Sequence, residues 1–210
     1  MAAALPDFVL AFVFLATWIR PAAMGQGRLG HVILVMLLEF IIIHSAAFMG
    51  QVLFAPGSRV RRAWSVVGLG AFYSLFVVGF ALAFKSAWPL WSFWGLTLNR
   101  MLSVLVGQAP EGEEREFLQR GWAACALAYL VFTFATIVLP VPRLGITPEV
   151  VRTSALQGHG LWVDQPWRVL ALGFLYFSAV GLSELFDHRW LGARKAAPPT
   201  EAGADPRAAA

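Results

Sequence analysis

Two ionisable side chains, Glu39 and His44, lie within an apolar run that is long enough to cross a lipid bilayer, HVILVMLLEFIIIHSAAFMGQVLF. A carboxyl group at the centre of a membrane costs roughly 2.5 to 3.5 kcal/mol on insertion scales, so it indicates a function and needs a partner within the protein. On a regular helix His44 lies about 140° from Glu39. An undistorted helix therefore cannot aim both side chains at one ion, and only a local bulge or a partner between them would join the two.

Depth in the membrane indicates Asn99 and Arg100 as partners for Glu39 and His44. If the second and fourth spans enter from the same side, Glu39 lies about 12 Å deep, His44 about 20 Å and Arg100 about 21 Å, at 1.5 Å per residue. We predict a buried polar cluster of Glu39, His44, Asn99 and Arg100 in which Arg100 pairs with Glu39. Two interpretations stay open: a buried ion pair that fixes helix packing, and a site for protons, an ion or a small ligand.

The face of the second span that carries Glu39 also carries small residues. Ala46 and Gly50 are four residues apart and lie within about 40° of the line through Glu39. Small residues at this spacing let another helix approach closely. We therefore expect the Glu39 face to point into the bundle.

A second group, Glu184, Asp187 and His188, has spacings of three and four residues. On a continuous helix this spacing puts all three on one face. Carboxylate and imidazole groups so placed could hold zinc, manganese or iron. The alternative is interfacial ion pairing with the arginines in RVRR at positions 59 to 62.

The remaining reactive residues carry weaker signals. Cys125 is the single cysteine, which excludes an intramolecular disulfide and a cysteine-rich metal site. Ser183 lacks a GxSG context, and His159 lies between glycines in a predicted solvated loop. The sequence has no HExxH and no Walker loop, so we lean against an enzyme and identify no cofactor.

The elements that must position these residues are predicted to be membrane helices. The chain has 210 residues, of which 59% are hydrophobic and 13% charged. Apolar runs cover residues 4–20, 31–54, 63–84, 86–106, 121–139 and 166–186. We predict an all-α integral membrane helical bundle of about six transmembrane helices within residues 1–192, followed by a disordered tail over 193–210.

The connections carry start and orientation signals. Thr147, Pro148 and Glu149 have the order of an N-cap, a first-turn proline and a first-turn acid, which predicts a short surface helix over 148–156. The three arginines in APGSRVRRA favour a cytoplasmic loop, and with six spans both termini are then cytoplasmic. The net charge of +4 is scattered, so we expect no nucleic acid partner. The expected partners are the lipid bilayer and a protein partner or second copy of the chain.

The segments LVMLLEFIIIHSAAFMG and GLWVDQPWRVLALGFLYFSAVGLSEL resemble an uncharacterised group of bacterial multi-pass membrane proteins. The resemblance spans most of the chain outside the tail. It implies a six-span protein of the bacterial inner membrane with Glu39 and His44 in its second helix. The group has no assigned activity, so the resemblance implies no functional residue.

Three functions follow from these patterns. The first is a structural, accessory or binding protein with this buried polar cluster. The alternative is a proton- or ion-linked transporter of a small solute that uses Glu39 with His44 or Arg100. The third is a metal-dependent membrane enzyme built on Glu184, Asp187 and His188.

Overall fold

Helices make up all of the regular structure in a computed structural model that describes residues 4–25, 27–106, 112–154, 156 and 159–188. The helices are α1 (Leu5–Ile19), α2 (Arg28–Phe54), α3 (Arg59–Ala83), α4 (Trp88–Val106), α5 (Gly112–Val138), α6 (Pro148–Thr153), α7 (Leu161–Asp164) and α8 (Pro166–Leu185), with a 3-10 turn over Pro21–Met24. The predicted all-α class is confirmed. The tail predicted over 193–210 lies outside the described residues.

Length and composition separate the helices into two groups. Four of them, α2, α3, α5 and α8, are long and apolar enough to cross a membrane. The 15 residues of α1 span only about 22 Å, which is short of a hydrocarbon core of about 30 Å. The 19 residues of α4 include Asn99 and Arg100, which lower its hydropathy. The described chain is a helical membrane bundle, and the two segments of imperfect length or composition are its first and fourth helices.

Helix α2 lies between two packed groups. On one side α1, α5 and α8 enclose a core that contains Phe14, Met36 and Tyr176. On the other side α3 and α4 pack against each other and against the second half of α2, around Tyr73 and Phe93. Side chains on opposite sides of α2 therefore meet different helices.

The ends of the helices follow the sequence signals. Thr147 caps α6, since its hydroxyl accepts a hydrogen bond from Val150 N at 3.3 Å, and the proline and acid follow as predicted. At the end of α5, Arg168 of α8 donates to the main-chain oxygens of Ile137 at 3.1 Å and Leu139 at 3.3 Å. Carbonyl groups that the helix leaves unpaired are thereby satisfied by a charged side chain.

The outer surface of α3 and α4 is apolar. Large side chains such as Trp64, Leu75, Leu82 and Trp91 are at least 69% exposed. Exposed apolar surface on this scale is unfavourable in water and favourable in lipid. This hairpin has the surface of a membrane-embedded element.

Candidate functional site

The carboxyl group of Glu39 is bound by a tyrosine from another helix. Tyr176 of α8 donates its hydroxyl proton to Glu39 Oε1 at 2.6 Å. Tyr129 of α5 packs edge-on against the Tyr176 ring, with 5.6 Å between centroids, and donates to Met36 O of α2 at 3.0 Å. Glu39, Tyr176 and Tyr129 form what we call the polar centre, and it joins α2, α5 and α8.

The imidazole of His44 faces the other side of α2, as the helical spacing predicts. His44 Nδ1 and the Tyr73 hydroxyl of α3 form a hydrogen bond at 2.9 Å. The ring lies between those of Phe40 and Phe48, at centroid distances of 5.7 and 5.3 Å. His44 therefore ties α2 to α3 and is not part of the polar centre.

The hydroxyl groups of all three tyrosines form hydrogen bonds with residues of α2, and the tyrosines come one each from α3, α5 and α8. The patterns in the sequence did not identify them as functional residues. A signal was present: three tyrosines stand among 17 phenylalanines in a hydrophobic chain. A phenolic hydroxyl in an apolar bundle has to find a partner, and polar groups are scarce there.

Glu39 and Arg100 make no direct ion pair among the described residues, although their charges interact electrostatically. Arg100 Nη1 lies 3.3 Å from Met49 Sδ, and Met49 lies about 15 Å along α2 from Glu39. Ion pairs among the described residues join Arg120 to Glu116 and Arg152 to Glu149. Arg100 lies on the Glu39 side of α2, since it lines a cavity with Ala46 and Gly50, but it is further along α2 and beyond ion-pair distance of Glu39. Asn99 is exposed on α4 and does not join the polar centre.

Small residues on α2 line a cavity where we expected a close helix contact. The cavity has a volume of about 220 Å³ and is lined by residues that include Ala46, Gly50 and Arg100. A Cβ added at Gly50 would meet nothing within 4 Å. Trp122 of α5 lies at the edge of this cavity, and its Nε1 donates to Ile43 O at 3.0 Å.

Two further acids lie near the polar centre. Asp7 of α1 interacts electrostatically with both Glu39 and Glu184, and Cys125 interacts with all three carboxyl groups. Glu184 Oε2 is buried and has no hydrogen-bond partner in the described part of the chain. Asp7 could not be identified from the sequence, because only the packing of α1 along α8 brings it near these residues.

Glu184, Asp187 and His188 do not share a helical face, so that prediction is wrong. Helix α8 ends at Leu185, and Asp187 and His188 have φ values of 50° and 53°. The chain turns back, so that His188 Nδ1 and Ser183 Oγ form a hydrogen bond at 2.8 Å. Among the described residues, no group of three or more His, Cys, Asp and Glu side chains is placed to hold a metal ion.

The serine and histidine at this turn are enclosed. Both are about 5% exposed. The His188 ring packs against Phe117 at 5.4 Å, and a Cβ added at Gly121 would lie 3.2 Å from His188 Nε2. Helix α5 therefore covers the serine and histidine, and the contact of His188 with α5 holds the end of α8 against that helix.

The fold and these sites define a helical membrane protein whose central helix is tied to its neighbours by tyrosine hydroxyls. No family model matches the sequence, and neither the curated proteins nor the solved structures contain a match.

Proposed function

We propose that this chain is an accessory or binding protein without catalytic activity, with several spans in a bacterial inner membrane and both termini in the cytoplasm. The polar centre holds the helices around α2, and the cavity beside Arg100 receives a ligand. The basic segment with Arg59, Arg61 and Arg62 supports the cytoplasmic position of both termini, because the cytoplasmic ends and loops of membrane proteins are enriched in basic residues.

The observation that carries the proposal is the hydrogen bond that Tyr176 donates to the carboxyl group of Glu39. A carboxyl group that serves a transport path needs access to water from each side in turn, and it lines a cavity or pathway. Glu39 is half-buried and accepts a 2.6 Å hydrogen bond from the hydroxyl of Tyr176, a residue that is 1% exposed. A contact of this kind supports a role in helix packing.

A double-mutant cycle on Glu39 and Tyr176 tests this role. Glu39→Leu and Tyr176→Phe each remove the hydrogen bond and should each destabilise the protein, and the double variant should lose less than the two single losses combined. We expect a coupling free energy of about 0.5 to 2 kcal/mol, since hydrogen bonds between membrane helices fall in this range. The measurement is reversible unfolding in detergent, followed by circular dichroism.

Glu114→Leu is the matched control, because Glu114 is exposed at the start of α5 and undergoes the same chemical change. Its unfolding should be unchanged within about 0.5 kcal/mol. Additive losses in the Glu39 and Tyr176 variants would contradict the packing role.

A proton-linked transporter is the second candidate, and one observation favours it. Asp7, Glu39 and Glu184 form an electrostatically coupled series that runs from the middle of α2 to the end of α8. Series of carboxyl groups within a bundle are the usual chemistry of proton relays. In liposomes under an imposed pH gradient, a relay would conduct protons in the wild type and stop in folded Glu39→Gln and Asp7→Asn. Equal flux in all three would leave the accessory role as the better account.

A further inference from the structure

The cavity beside Arg100 lies in the half of the bundle in which α3 and α5 begin. Its walls come from the second half of α2, from Val66 of α3, from Leu118 and Trp122 of α5, and from Arg100 of α4. At 1.5 Å per residue, these residues of α3 and α5 lie about 9 to 15 Å from the first residue of their helices. The three arginines of the first turn of α3 are at the same end, so the cavity lies inside the bundle below this basic end.

The sequence of α2 creates the space. Ala46, Ala47 and Gly50 line the cavity, and a side chain begun at Gly50 would meet nothing within 4 Å. Trp122 closes one edge and is fixed there by its hydrogen bond to Ile43 O. The opening is thus a consequence of three small residues beside a fixed indole ring.

Arg100 brings a positive charge to this space. Its guanidinium group has five N–H donors and stays ionised at any physiological pH. In the described part of the chain, the hydrogen bond it makes is to Met49 Sδ, a weak acceptor, at 3.3 Å. No described carboxylate lies within ion-pair distance of it. A half-buried arginine with such a partner is suited to an anion with oxygen acceptors.

The size and walls of the cavity restrict that anion. A volume of about 220 Å³ is below the roughly 300 to 1,000 Å³ of pockets that enclose drug-sized ligands. Only the head of a lipid would fit, and its chains would lie outside. Leu118 and Trp122 border the cavity and are 45% and 41% exposed, which gives acyl chains an apolar surface.

We propose that this cavity binds the headgroup phosphate of an anionic glycerophospholipid. The phosphate lies against Arg100, and the acyl chains pack along α5 beside Leu118 and Trp122. The exposed Arg59 and Arg61 at the same end attract anionic lipids to this side of the bundle. The inference rests on the proposed binding role and names its ligand class.

Native mass spectrometry of delipidated protein in detergent tests the site. Dioleoyl phosphatidylglycerol should bind the wild type with a defined stoichiometry, at least tenfold more tightly than dioleoyl phosphatidylcholine. Arg100→Gln should weaken phosphatidylglycerol binding at least tenfold. Arg59→Gln is the matched control, since it removes a positive charge from the same end without altering the cavity, and its affinity should stay within about threefold of the wild type.

A second variant keeps the test decisive if Arg100→Gln fails to fold. Gly50→Leu fills the cavity, keeps Arg100 and should also weaken phosphatidylglycerol binding at least tenfold. Wild-type affinity in Gly50→Leu or Arg100→Gln would overturn the proposal, as would equal binding of the two lipids. Sodium phosphate that competes with the lipid at equal concentration would also overturn it, because the site would then take a free anion. Neither variant replaces Glu39 or Tyr176, and Gly50→Leu also leaves the charge of Arg100 in place, so failure of the lipid site can be distinguished from failure of the packing role.

Discussion

The hydroxyl groups of three tyrosines explain how single residues organise this bundle. Each hydroxyl connects a different helix to α2, and each has a different hydrogen-bond partner: a carboxylate, an imidazole and a main-chain oxygen. In a membrane the helices gain little from burying apolar surface against one another, because lipid is equally apolar. Specific hydrogen bonds therefore decide which faces pair.

Tyr73 offers a test at the scale of one residue. Tyr73→Phe should lower the free energy of unfolding by about 0.5 to 1.5 kcal/mol, because the buried hydroxyl loses its bond to His44. In a His44→Phe background the same change should have little effect, since the partner is already absent. Unfolding in detergent measures both. An equal loss in the two backgrounds would show that the hydroxyl acts through something other than His44.

At the scale of the helices, glycines set how closely α1 and α8 approach. A Cβ at Gly173 would lie 2.2 Å from the ring of Phe14, and one at Gly181 would lie 3.1 Å from the ring of Phe8. The aromatic rings of α1 thus occupy the volume that side chains on α8 would need. This close approach brings Asp7 beside Glu184 even though α1 has only 15 residues.

Gly173→Ala should therefore destabilise the bundle. The added methyl group overlaps the Phe14 ring, and forced overpacking costs about 1 to 3 kcal/mol. Gly79→Ala on α3 is the matched control, because nothing lies within 4 Å of its Cβ. That variant should be neutral or more stable by up to about 1 kcal/mol, given the helix propensity of alanine. The two midpoints of thermal unfolding in detergent give the comparison, and equal midpoints would exclude close packing at Gly173.

The arrangement of the whole molecule depends on its orientation in the membrane. The helices α1 to α5 and α8 alternate in direction along the chain, so the loop before α3 and the helix α6 lie at opposite ends of the bundle. The arginines near Ser58 favour a cytoplasmic position for the loop before α3. Both Ser58 and Glu149 are exposed, which makes them accessible positions for labelling.

Cysteine labelling tests this orientation. In a Cys125→Ser background, Glu149→Cys should react with a membrane-impermeant maleimide in intact spheroplasts. Ser58→Cys should react only after the membrane is permeabilised. The background protein without cysteine is the control for unspecific labelling. The reverse pattern would place the arginine loop outside and overturn the cytoplasmic assignment of both termini.

The sequence alone determined the helical class, the approximate helix bounds and the divergence of Glu39 from His44. These properties depend on apolar run length and on 100° per residue, both of which are local. It could not determine which helix faces Glu39. Arg100 and Glu39 were compatible by depth, but an approximate depth does not fix the distance between two side chains once the helices have packed.

Only the tertiary structure decided the partners. It placed Tyr176 on Glu39, left Arg100 beside the cavity, and ended α8 at Leu185 so that Asp187 and His188 left the predicted face. The physical reason is that contacts between helices depend on the close approach of distant residues, such as Phe14 against Gly173. Such packing is not encoded in the spacing of residues along any single helix.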